Sequence, residues 1–464
     1  MSREQASVVV RRGGSDLPNL DVDVCVVGAG ISGVTSATLL GRHGHSVVLV
    51  DACPWVGGQA VGVPIGTIGG LFSCGEQPYL LTPIFATELL QQLDQREASF
   101  YQRSRRARTV NVVYDDVVLM RVFEQLLRAA RVQLILGGVL AGVEREGRLL
   151  RRVRVETRFG PCQIRARAFV DASGDASLAW TAGLACRTAT FPIYGTQIVI
   201  VEGVDYTHVS DPHVVQWEAE RVLAEKGSAY GLSREKGVVF PLPSRGMAVL
   251  NVTHLATPLD PVRFWEEAAP ARDEGERAVE LLRQEYPAAF GRARIRSLGH
   301  PGIRQTRTIV GRAMLRVEDV IAGTRFDDAI ARVAWPIELH DTASGYRWEP
   351  FPDGHVHFVP LSSLIHSEAD NLIAAGRCVD ADPYALSSIR VMGPCIAMAA
   401  AAAETVHLFL VQGATTLHDI APAAVQQRVH ANLEGAVVWP TEIATRPRSE
   451  APQQSGHHGQ GPDR

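Results

Sequence analysis

Lysine is nearly absent from this chain: Lys226 and Lys236 are the only two, and arginine carries the rest of the positive charge. We read that skew as compositional bias. A net charge of −4 gives no general pull toward nucleic acid or a membrane surface. The cysteines (Cys25, Cys53, Cys74, Cys162, Cys186, Cys378 and Cys395) contain no Cys-x-x-Cys or Cys-x4-Cys pair. That spacing argues against a disulfide framework, a zinc ribbon and a dithiol redox centre, and it points to a reduced, cytoplasmic protein. "MSREQASVVVRRGGSDLPN" has no apolar region after its arginines, so no secretory leader is expected. No uncharged apolar stretch reaches the ~18–20 residues of a spanning helix. The run from Val391, with five consecutive alanines, stops at Glu404 after thirteen residues.

The polar, Pro/Gly-rich ends, residues 1–20 and 441–464, are expected to be disordered. Between them the first ordered unit is plain. "DVDVCVVGAG" is a β-rich run, "ISGVTSATLLGRHG" has helical spacing, and "SVVLVD" is a second strand. Gly28, Gly30 and Gly33 stand between strand and helix as Gly-x-Gly-x-x-Gly, and Asp51 closes the second strand. The first glycine permits a tight turn, the second close approach of a pyrophosphate, and the third close packing of helix on strand. Amides of Ala29, Ile31 and Ser32 would face the phosphates at the helix start, and Asp51, beside Ala52, would accept from ribose hydroxyls. Strand, helix, second strand and acid agree on a dinucleotide site. Gly57, Gly58 and Gln59 follow in "PWVGGQAVG", a loop that a flavin enzyme can lay against the second phosphate and the ring.

"GGQA", "FVDASGDASLA", "GIRQTRTIVG", "FDDAIARVAWPIELHD" and "NLIAAGRCVDADPYALSSIRVMGPCIAMA" then follow in order. In this combination the chain resembles the FAD-dependent oxidoreductase family, with the glutathione-reductase-like FAD fold and kinship to the fumarate reductase and succinate dehydrogenase flavoproteins. The resemblance covers roughly residues 20–185 and 300–412 and implies FAD as cofactor. It implies an α/β fold: a Rossmann-like FAD-binding domain with a parallel sheet and an antiparallel β-meander, from residues 21–185 and 301–440. An α+β substrate domain, residues 186–300, would be inserted between these parts. It also implies that Ala172, Gly174 and Asp175 pass near the adenosine, and that Gly376 and Arg377 lie beside the ribityl chain and pyrophosphate. Met392 and Gly393 would start a helix aimed at the flavin N1–C2 edge. Relatives often carry Gly-Gln-Ala-Ala-Gly where this chain has Met398 and alanines, and an acid where it has Gln305.

A second dinucleotide fingerprint and paired active-site cysteines are both missing, so the flavin is expected to be reduced by its own substrate or by a partner protein. The leading expectation is a dehydrogenase or oxidase moving hydride from a small organic substrate to flavin N5, with a protein acceptor or O2 reoxidising it. The runner-up is a reductase of an activated C=C bond. Arg304 and Arg307 either bind an anionic substrate or pair with Asp327, Asp328 or Glu338. His340, next to Asp341, is the candidate base, His357 and His355 compete with it, and Arg390 is placed to face flavin or substrate. Cys74 and Cys395 are read as small core residues that could approach the flavin. The dense arginines between Arg103 and Arg167 raise a different class, a flavin scaffold binding RNA or a partner, but sparse aromatics and strand alternation favour a solvated face. No metal or nucleic acid is expected, and an oligomer is possible.

Overall fold

In the computed structural model, which describes residues 19–104, 108–234 and 236–439, strand β1 (Asn19–Val27) enters the turn at Gly28 and helix α1 (Ile31–Arg42) follows. Strand β2 is Val47–Asp51. Helix α2 (Asp116–Ala129) starts where Asp115 accepts from the amides of Val117 and Val118 at 3.0 and 3.1 Å. Strand β3 (Gln133–Leu136) pairs in parallel with β2, which pairs in parallel with β1. The alternating stretch after Val139 folds into the expected meander: β4 (Val139–Glu146), β5 (Leu149–Thr157) and the long β6 (Gly160–Asp171). β6 is parallel to β1 along one edge. On its other edge it is antiparallel to β5 in its first half and, at Phe169–Asp171, parallel to a strand from the end of the chain.

A separate unit interrupts this sheet. Its four antiparallel strands are β7 (Ile198–Glu202), β8 (Val238–Leu242), β9 (Met247–Asn251) and β10 (Arg294–Ser297), in the order β8-β9-β7-β10. Helices α3 (His213–Lys226) and α4 (Pro261–Glu285) cover it, and Val199, Val222, Leu250, Leu282 and Phe290 share a core distinct from that of the main sheet. α4 begins at Pro261, with Asp260 capping the amides of Val262 and Arg263.

The chain then returns to the main sheet through β11 (Leu372–Ala374), the partner of β6, and continues into α5 (Met392–Gln412), after which two short helices, Pro422–Arg428 and His430–Glu434, follow. α5 is the one described helix long and apolar enough to cross a membrane, but most of it is buried against α1 and the strand Ala329–Val333. A helix apolar all round fits a core with partners on every side. Its single charge, Glu404, pairs with His43 at 2.8 Å and Arg428 at 3.1 Å. Of the ends expected to be disordered, 1–20 and 441–464, residues 1–18 and 441–464 lie outside the described residues, and Asn19 and Leu20 instead begin β1.

The arginine-rich meander is laced with acids rather than left as a bare basic face. Arg152 meets Glu144 at 3.0 Å, Arg151 meets Glu146 at 2.9 Å, and Arg167 meets Asp23 at 3.1 Å.

Candidate active site

The carboxyl ends of β1, β2, β6 and β11 all open on one cavity of about 970 Å3, where open α/β sheets place their ligands. Gly28 turns out of β1 at φ +102°, and a Cβ there would lie 2.4 Å from the carbonyl oxygen of Ala172. Gly33 has no room either, since its Cβ would lie 1.7 Å from the Gly28 carbonyl oxygen. Gly30 is the opposite case: it lines the cavity and a Cβ built on it meets nothing within 4 Å. The chain therefore leaves open space at the position that a pyrophosphate needs. Gly58, at φ +50°, folds over Gly30. Asp51 closes the turn by accepting from the amides of Ala29 and Cys53, and its carboxylate borders the same space.

The late segments complete this end. Asp175 accepts from the Thr306 hydroxyl at 2.6 Å. Arg377, expected to neutralise phosphate, lines the cavity while its guanidinium donates to the carbonyl of Ile303 at 3.0 Å, tying down the Gly302–Arg307 loop. Gly376, at φ +86°, abuts the Ser32 hydroxyl rather than the cavity. Met392 borders the space; Gly393 instead abuts Gly70, and its amide donates to the Gly69 carbonyl. Ile31, Ser32, Ala52, Gly57, Gln59, Ala172 and Gly174 line the cavity, whereas Ala29 and Gly33 sit behind it.

At the other end the expected catalytic residues separate. Arg304 and Arg390 line the cavity; Arg304 is 8 % exposed and donates to the Tyr194 carbonyl, and Arg390 donates to the Glu338 carbonyl. Arg307 lines the cavity too, but beside Asp175: it stacks over Trp180 at 4.8 Å and its Nε donates to the Asp175 carbonyl. Burial, then the Arg390 and Arg234 cations, push the Arg304 guanidinium well below its ordinary range, with Glu338 opposing. Burial also lowers Arg390, again with Glu338 opposing. Arg390 Nε and Trp348 Nε1 have no protein partner. An anion placed here relieves the crowding of like charge.

His340 and His357 do not line the cavity, which corrects their expected positions. His340 is 1 % exposed, behind Tyr346, whose ring stacks on it at 4.8 Å. Its neighbour Asp341 faces Arg347 at 2.8 Å, because adjacent residues after a strand point to opposite sides. Glu338, two residues back on the same side, meets His340 at 3.0 Å and reaches the cavity. His357 is fully buried, 3.0 Å from the Ser388 hydroxyl. Gln305 donates to the Pro383 carbonyl. Cys395 borders the cavity, but burial pushes its thiol up to about 11, and Cys74 is pushed up to about 12, so neither is a ready thiolate.

The sequence did not point to Glu338 as a cavity residue, nor to the wall from the interrupting unit: Arg234, Lys236, Phe240 and Trp217. Glu338-x-His340 on a strand is a period-two signal for a shared face; nothing local marked Arg234.

A family model described as "FAD dependent oxidoreductase" matches residues 23–429. The chain belongs to the FAD-dependent oxidoreductase family. FAD is its cofactor, and the open space at Gly30, the Asp51 carboxylate and the Arg377 guanidinium fit that molecule. No curated protein matches the chain. Among solved structures, this family member is similar to a geranylgeranyl bacteriochlorophyll reductase-like protein of Thermoplasma acidophilum, at 14 % identity and TM-score 0.46, over 90 % of this chain and 84 % of that one. PqsL of P. aeruginosa matches at 16 % identity and TM-score 0.42, over 89 % and 93 % of the two chains. The flavin-dependent brominase Bmp2 matches at 15 % identity and TM-score 0.46, over 89 % and 84 %.

Proposed function

We propose that this FAD-dependent oxidoreductase is a dehydrogenase or oxidase acting on a small organic anion, bound between the flavin end of the cavity and the unit inserted at residues 186–300. The observation that carries the proposal is the convergence of Arg304, Arg390 and Arg234 beside the Glu338 carboxylate, in a cavity walled by Trp335, Trp348 and Tyr346. Arg304 and Arg390 hold and orient the anion, and the aromatic rings exclude water from its body. Bound FAD supplies a two-electron acceptor for hydride. Residues 186–300 supply Arg234, Lys236 and Phe240 to the wall, which supports a substrate role for that unit. The seven unpaired cysteines suit a reducing, cytoplasmic setting.

Anaerobic photometry tests the direction. A panel of aromatic and aliphatic 2-hydroxy and 2-amino acids is mixed with the oxidised holoenzyme. Bleaching of the flavin by one of them supports dehydrogenation. If none bleaches it and an unsaturated carboxylate reoxidises the dithionite-reduced enzyme, the chain works in the reverse direction, as a reductase of an activated C=C bond.

A further inference from the structure

Glu338 is the outer end of a file of three titratable side chains that runs into the protein. Its Oε1 lies 3.0 Å from His340 Nε2, His340 Nδ1 lies 2.9 Å from His254 Nε2, and His254 Nδ1 lies 3.1 Å from the Ala343 carbonyl oxygen. Each of these three contacts needs one proton, and the Ala343 carbonyl only accepts. Two neutral imidazoles and a carboxylate hold two protons between them. The file is complete only with a third, whichever group carries it. Without that proton two lone pairs face each other in a buried place, an arrangement that is costly to leave unrepaired. Tyr346 covers the His340 ring, whose side chain is 0 % exposed against 20 % for Glu338. The inner end is closed by a carbonyl, so Glu338 is where the file opens on the cavity.

We propose that Glu338 exchanges a proton with the molecule bound in the cavity, and that His340 and His254 are positioning residues whose hydrogen bonds receive the protonated Glu338. The proposal rests on the oxidoreductase function above. In the oxidative direction, with FAD as the hydride acceptor it would supply, Glu338 would take the proton from the substrate's hydroxyl or amino group as the carbon loses hydride, leaving a C=O or C=N bond. The reverse reaction returns both. The groups facing the file are Arg234, Arg304 and Arg390, with Tyr346 stacked on His340. These cations favour the emptied file, and the three hydrogen bonds favour the filled one, so the exchanged proton is held reversibly. Burial first, then the arginines, pushes His340 well below its ordinary range, and burial takes His254 down to about 3. Both shifts disfavour imidazolium at His340 and His254.

The test is Glu338→Gln, whose amide donates to His340 Nε2 and completes all three contacts without a titratable proton. The reduction potential of the bound FAD is followed against pH by dye equilibration. The wild type is expected to show a change of slope where the file empties. Glu338→Gln is expected to lose it, and His254→Gln, which preserves both of its contacts, to move it. A slope change that survives Glu338→Gln, or is missing from the wild type, overturns the proposal. Histidine 15N spectra, which need no flavin, provide a second readout. His340 Nε2 is expected to shift with pH in the wild type and to stay unprotonated in Glu338→Gln. Identical behaviour in the two proteins overturns it too. Failure of any anion to bleach or reoxidise the flavin counts against the substrate proposal and leaves these two measurements standing.

Discussion

The Ser36 hydroxyl donates to the carbonyl of Ala399 at 3.0 Å, joining α1 to α5 across 363 residues of sequence. Ser32 makes a longer contact of the same kind with the Cys395 carbonyl one turn earlier. Two helix backbones come this close only where the facing residues are small, and every alanine from Ala399 to Ala403 is fully buried. Ala399→Leu is expected to overpack this seam and lower stability by about 1–3 kcal/mol, read as a lower midpoint in urea. Ala399→Ser is expected to change it little.

The glycines of the first turn separate folding from cofactor binding. Gly30→Ala puts its methyl into the open space of the cavity, so the protein is expected to fold with a normal circular dichroism spectrum but to hold FAD at least about tenfold less tightly, a cost of about 1.4 kcal/mol. Gly33→Ala meets the Gly28 carbonyl instead and is expected to lower the melting temperature itself. Equal effects of the two substitutions on FAD retention and on melting would argue against this division.

Arg390→Leu removes a buried cation whose Nε has no protein partner. Benzoate, a simple aromatic anion, is expected to perturb the flavin spectrum of the wild type and to bind at least about tenfold more weakly to this variant, the scale of one lost charge-assisted hydrogen bond. Arg307→Leu, beside Asp175 and Trp180 rather than Glu338, is expected to leave benzoate binding nearly unchanged.

His357 provides a pH dependence unrelated to catalysis. Burial pushes it down from 6.5 to about 3, and its Nδ1 has no partner. The unfolded chain therefore takes up a proton at a pH where the folded chain does not. The stability associated with this ring is fully present above about pH 6.5 and is lost as the pH falls toward 3. The urea midpoint of His357→Gln is expected to fall less steeply over that window than that of the wild type.

The first β-α-β unit was legible because its signals are local: strand, glycines, helix and Asp51 lie within 33 residues, from Asn19 to Asp51. The meander was legible from alternation. The capped helices after Asp115 and Asp260 were legible from side chains that bond to their own helix start. The far end of the cavity was legible only in part: Arg304 and Arg390 were expected there, but Arg234 and Glu338, which no spacing rule connects to them, were not. His340 drew attention because imidazole is the usual base, yet the residue that reaches the cavity is the acid two positions earlier. Strand alternation carried that information, and the adjacency of Asp341 misdirected it.

β6 pairs with β5 and β1 near the middle of the chain, but its last three residues wait for β11, and the seam beneath the cavity waits for α5. On a ribosome the glycine turn emerges some 360 residues before the helix that backs it. The nascent chain therefore carries an exposed, unfinished sheet edge over about 200 residues of its synthesis, from Asp171 to Leu372, and flavin capture is expected late in folding. FAD supply during expression is therefore expected to raise the yield of native protein as well as the fraction that is yellow.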